Sequence, residues 1–291
     1  MEITIFDNEF AHEEDNSFIG LRKCERLIQD SIKWCRDTAN VTNTCVFTDT
    51  HITMGTARSI KCVTKIALVL EPRVIRADVV EYLLNDDSEY DVILTHDSEL
   101  LEKSKKAYPC PAVLHFVQDW SECEKTKLVS MVASGKNWAP GHILRQKSIH
   151  TLRDRVDLFG REINPIEIKD TGLRKYMFSI AIENCKDEYY FTEKLLDCFT
   201  TRTVPLYWGA SSVNDAVIKT FFRGKGVITF DTLEELESIV DNLSEETYHK
   251  MKDVIEYNHM IATTLYQSLE HYLVVKYRQY FDGRKYSGET K

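Results

Sequence analysis

The residues whose types and spacing point most directly to chemistry lie between Tyr176 and Gly209. Tyr176 to Ile182 is an almost unbroken apolar and aromatic run, the pattern of a strand buried on both faces of a helix-covered parallel sheet. Glu183 and Asn184 follow at its C-terminal end, where open α/β sheets bind ligands. After a polar loop, Thr192 is placed to cap a helix whose Leu195, Leu196 and Phe199 share one face. Lys194 then falls in the first turn of that helix. A cation there opposes the positive end of the macrodipole, a penalty of about 0.3–1 kcal/mol that a bound anion removes. Free N–H groups at a helix N-terminus already favour phosphate, and Lys194 would add a charge-assisted hydrogen bond. A lysine that merely pairs with Asp187, Glu188 or Glu193 in solvent meets the same pattern.

Other polar positions are less specific. Glu71 closes the apolar run Ile66 to Leu70 and precedes Pro72, so it stands at another strand edge, as either a general base or a solvated turn residue. Asp97 faces the same edge or caps the helix that follows. No metal is implied: the nine histidines contain no i, i+4 pair, and Asp86-Asp87 sits in a polar loop rather than at a strand end. His96 and His142, as single histidines, read as hydrogen-bonded structural residues.

The elements that must position these groups alternate along the chain. Strands are expected at Ile3 to Phe6, Thr44 to Thr48, Thr64 to Leu70, Tyr90 to Leu94 and Ala112 to Phe116, with helices at Phe18 to Cys35, Val74 to Leu84 and Asp97 to Lys106. A second alternation begins at Lys127 to Val132 and continues with a helix at His142 to Arg153, strands at Val156 to Phe159, Tyr176 to Ile182, Pro205 to Gly209 and Gly226 to Phe230, and a helix at Thr232 to Asn242. Ile261, Leu265, Leu269 and Leu273 mark one long helix from Glu245 to Phe281. The fold class is α/β with two Rossmann-like domains, 1–124 and 125–291, the second including the C-terminal helix 245–281.

A chain of 291 residues suits two domains, and 43% hydrophobic with 29% charged residues describes a soluble globular protein. The net charge of −9 argues against a general nucleic-acid binder, which needs clustered excess Lys and Arg. Met1 to Phe10 lacks the basic start and apolar core of a signal peptide, and no apolar stretch spans a bilayer. Eight cysteines without a Cys-x-x-Cys fit free thiols in a reducing cytoplasm.

Three pieces, Ile182-Glu183-Asn184, Tyr190-Phe191-Thr192-Glu193-Lys194 and Val204-Pro205-Leu206-Tyr207-Trp208-Gly209, resemble in order and spacing the donor-binding signature of the alpha-1,3-fucosyltransferases. Weaker likeness runs in patches from about Lys65 to Asn258, and the first sixty residues show none. The resemblance implies a GT-B arrangement, two Rossmann-like domains facing across a cleft, and inverting transfer of fucose from GDP-fucose to a carbohydrate hydroxyl without a metal cofactor. It implies Glu71 as the base, Arg145 and Lys194 as cations at the diphosphate, Glu193 at the ribose, and Asn184 and Tyr190 at the diphosphate or sugar. Glu183 is then a ligand or a sheet-edge charge, and Ser134 positions phosphate or merely ends a strand. The lack of an N-terminal anchor resembles the soluble bacterial or viral members. Use of another nucleotide sugar, or nucleotide-sugar or glycan binding without turnover, remains compatible with the same signature.

Overall fold

Every strand pairing within the two sheets of the computed structural model is parallel; the structure describes residues 1–7, 32–111, 115–210, 222 and 226–282. The chain divides into two units, Met1–Val113 with Gln267–Lys291, and Leu114–Tyr266. The sequence boundary at 124/125 instead kept the C-terminal segment with the second domain. Among the described residues no helix is long and apolar enough to cross a membrane.

In the first unit, β1 (Glu2–Phe6), β2 (Lys33–Cys35), β3 (Thr44–Thr48), β4 (Thr64–Leu68), β5 (Val92–Thr95) and β6 (Ala107–Pro109) form a sheet in the order β2-β1-β3-β4-β5-β6. β3 and β5 are buried along their whole length, as their unbroken apolar runs require when both faces are covered. Phe6 stacks on Phe47 at 4.8 Å, and Val79, Val80 and Leu83 of the helix Ala77–Asn85 pack into the same core.

The second unit contains β7 (Lys127–Val132), β8 (Asp157–Phe159), β9 (Tyr176–Ile182), β10 (Val204–Trp208) and β11 (Ile228–Thr229), in the order β11-β10-β9-β7-β8. All seven residues of β9 are buried, and Phe178 pairs with Val129 of β7 on one side and Val204 of β10 on the other. In each sheet the first strand lies between the second and third, so the chain switches sides there. A crevice opens at the carboxyl ends of the strands flanking such a switch, here β7 and β9.

Several expectations shift. The helix proposed for Phe18 to Cys35 lies outside the described residues up to residue 31, and Lys33–Cys35 is a strand beside β1. Buried Trp34 holds it there, donating from Nε1 to Glu270 at 2.8 Å. Residues 112–114 of the strand expected at Ala112 to Phe116 also lie outside the described residues; His115 and Phe116 are not strand, and Phe116 N–H turns instead to the Asp197 carboxylate. The single helix over Glu245 to Phe281 is three: Glu245–His249, Lys252–Thr264 and Leu269–Phe281. Ser268 begins the last by accepting from His271 N, and a serine that caps a new helix interrupts the old one. The apolar i+4 spacing runs on through the break, so periodicity alone concealed it.

Candidate functional site

The helix Glu193–Thr200 begins at Thr192, whose hydroxyl accepts from Lys194 N. Thr192 is itself fixed from below, because its N–H and Oγ1 donate to the two carboxylate oxygens of Glu183 at 2.9 and 2.7 Å. Glu183 directly follows β9 and is 0% exposed. Tyr207 OH at 3.4 Å and Lys194 Nζ at 3.4 Å complete its shell, offsetting the cost of burying a carboxylate. Lys194 also reaches Thr192 Oγ1 at 3.0 Å and Glu193 Oε1 at 3.1 Å, with a side chain only 22% exposed. Pairing with Glu193 is therefore present, but inside the fold rather than in solvent.

Arg145 arrives from the helix Pro140–Leu152, which follows β7. Gly141 lets that helix close onto the end of β9: its N–H donates to Asn184 O at 3.0 Å, and a Cβ there would lie 1.7 Å from Glu183 O. Arg145 is 5% exposed; Nε donates to Ile182 O at 3.0 Å and Nη2 to Asn184 Oδ1 at 2.6 Å. Among the described residues no carboxylate forms a salt bridge with it. Burial draws its affinity for the proton below the usual arginine value, against the raising influence of Glu183, Glu193 and Tyr190. A buried guanidinium without an ion pair is what an anion site requires before the anion arrives.

Arg145 and Lys194 line a cavity of about 20 Å³ together with Lys169, Ser179, Cys198 and apolar groups of β7 and β9. That is room for about one oxygen atom or one water. Burial would raise the Glu193 carboxyl, but Lys194 and Lys169, with hydrogen bonds from Lys194 and Thr192, hold it at about 2. Its contribution to stability should therefore be complete above the ordinary carboxyl value of 4.5 and lost as pH falls through about 2. Urea unfolding of wild type and Glu193→Gln from pH 6 to pH 2 checks this: the difference between them should shrink across that window.

Of the remaining expected residues, Asn184 is half-buried, Tyr190 is buried, and Ser134 is exposed beyond β7 with its carbonyl accepting from Gln146 Nε2. Glu71 belongs to the first unit, beyond β4, where its N–H donates to buried Asp49 at 2.9 Å. Asp97 caps the helix Ser98–Lys103 through Leu100 N and takes two hydrogen bonds from Arg73, at 3.0 and 2.8 Å. His96 Nε2 lies 3.1 Å from Leu70 O, and His142 accepts from Ala139 N at the start of its helix. Burial first, then Arg145 and Lys136, lower His142 to about 4, so it is neutral at pH 7. Asp87 accepts from Ser104 Oγ and pairs with Lys106, and Asp86 accepts from Ser88 N, so both brace their loop.

Residues 122–259 match the family model described as glycosyltransferase family 10 (fucosyltransferase), C-terminal part. This segment belongs to glycosyltransferase family 10. An alpha-(1,3)-fucosyltransferase of Helicobacter pylori is 27% identical over 85 residues, and an alpha-(1,4)-fucosyltransferase of Arabidopsis thaliana is 38% identical over 78. These alignments cover 29% and 26% of the chain, and 17% and 18% of those two proteins. A crystal structure of an alpha1,3-fucosyltransferase with GDP is similar in fold, with a TM-score of 0.54 and 14% identity, covering 89% of this chain and 84% of that one.

The family 10 segment contains the whole β7 to β10 arrangement, and within it two charged residues escaped the sequence reading. Lys169 carries no local signal, lying in the short turn Lys169–Gly172 far in sequence from its neighbours. Asp197 did carry one: it is an acid inside the otherwise apolar run Leu195 to Phe199, and it is 0% exposed.

Proposed function

We propose that this protein is an inverting glycosyltransferase that moves fucose from GDP-fucose to a hydroxyl of a carbohydrate acceptor. The observation that carries the reading is buried Arg145, without a salt bridge among the described residues, sharing a cavity with Lys194 at a helix N-terminus. In the proposed reaction Glu71 takes the proton of the acceptor hydroxyl as its oxygen attacks the anomeric carbon, and the bond to GDP breaks on the opposite face. Negative charge then develops on the departing diphosphate, where Arg145, Lys194 and the helix N–H groups stabilise it. Ionised Glu193 accepts hydrogen bonds from the ribose hydroxyls, with Asn184, Tyr190 and Ser134 beside the donor. Glu183 positions the cap on which Lys194 depends. Free thiols at all seven cysteines among the described residues support a reducing, cytoplasmic setting.

Because fixed cations serve the phosphates, transfer should survive excess EDTA. Loss of activity on chelation, with recovery in Mg²⁺ or Mn²⁺, would contradict this. A thermal-shift panel tests the donor: GDP should raise the unfolding temperature above that seen with UDP, ADP or CDP, because a ligand that binds only the native state stabilises it.

A further inference from the structure

The cavity beside Arg145 and Lys194 contains a third cation. Lys169 lines it, and none of the residues lining it is a carboxylate. The Lys169 ammonium donates to Asp197 Oδ2 at 2.8 Å and lies 5.6 Å from the centre of the Phe116 ring, with its side chain 16% exposed. Asp197 is well supplied without it. Its carboxylate also accepts from Phe116 N at 3.1 Å and Val117 N at 3.4 Å, with His115 Nδ1 at 3.4 Å. Burying a lysine merely to satisfy this acid would cost desolvation for little return. What the pair achieves is geometric: Asp197 stands three residues after Lys194 on the same helix, so it holds the Lys169 ammonium in fixed relation to that of Lys194.

We propose that Lys169 is a third cation of the diphosphate subsite, with Asp197 as the positioning residue that holds its ammonium at the cavity wall. This rests on the donor-site reading above. The ligand chemistry is a diphosphate, one oxygen of which fits the cavity and meets the three cations there.

Isothermal titration with inorganic pyrophosphate and with GDP tests this on the full chain. Lys169→Gln keeps a donor for Asp197 but removes the charge, whereas Lys169→Arg keeps both. Both ligands should bind Lys169→Gln about tenfold or more weakly, the usual effect of losing one charge-assisted contact, and Lys169→Arg should recover most of the affinity. Unfolding temperatures near wild type in both variants would separate this from a folding defect. If Lys169→Gln does not fold, Lys169→Arg decides: retained affinity supports the cation, and a loss as large as that in Arg145→Ala overturns it. Wild-type affinity in Lys169→Gln, while Arg145→Ala weakens binding, would leave Lys169 as a structural ion pair and the donor site intact. If wild type binds neither ligand, the donor-site reading falls, and this inference with it.

Discussion

Glu71→Gln should transfer sugar about 10²–10⁴ times more slowly than wild type, because it keeps the shape of the side chain and removes its capacity to accept a proton. GDP affinity should be unchanged, since the donor-binding cations and Glu193 belong to Leu114–Tyr266 and Glu71 to the other unit. The check is a pair of measurements on one preparation, initial transfer rate and GDP titration, and they must separate. A normal rate would assign the base elsewhere. Asp97, another acid at a strand edge of that sheet, is badly placed for the task, with its oxygens already taken by Arg73 and the Leu100 N–H.

The second large effect is on stability. Glu183→Ala strips the buried acceptor from the Thr192 N–H, the Thr192 hydroxyl and Tyr207 OH, and leaves Lys194 without one of its carboxylates. Removing one partner of a buried charged network typically costs about 3–5 kcal/mol. Donor binding should fall with it, because the cap that orients Lys194 is no longer held. Glu183→Gln retains one carbonyl acceptor and the side-chain volume, and should lose less. Urea unfolding at neutral pH distinguishes them, and a loss below about 1 kcal/mol for Glu183→Ala, the range of an ordinary surface change, would show that the cap is held in some other way.

Where local pattern determines structure, the sequence was a sufficient guide. β3, β7 and β9 begin and end at the residues expected, and β3 and β9 are buried at every residue, as strands covered on both faces are. Thr192 caps its helix as its position predicted, and the helix expected from Thr232 runs Leu233–Asn242 with Thr232 as its cap. The sequence also placed Glu183, Asn184, Glu193 and Lys194 around one strand end and one helix start. What it could not show depends on contacts between distant residues. Glu183 reads as a ligand or an edge charge, and only the fold reveals it as the buried anchor of Thr192. Arg145 reads as an ordinary exposed helix arginine with Arg153 and Arg155 nearby, and its burial against Ile182 O comes from the close approach that Gly141 permits. The break at Ser268 was hidden because a spacing of four residues persisted across it.

Arg145 and Lys194 are proposed to hold a nucleotide diphosphate. Isothermal titration of GDP into wild type, Arg145→Ala and Lys194→Ala, each with its unfolding temperature recorded, tests it most directly. Wild type should bind GDP at a single site, and each variant should lose about 1.5–3 kcal/mol, roughly tenfold to a hundredfold in affinity, at unchanged fold. GDP affinity equal to wild type in both variants, or no binding by wild type, would contradict it.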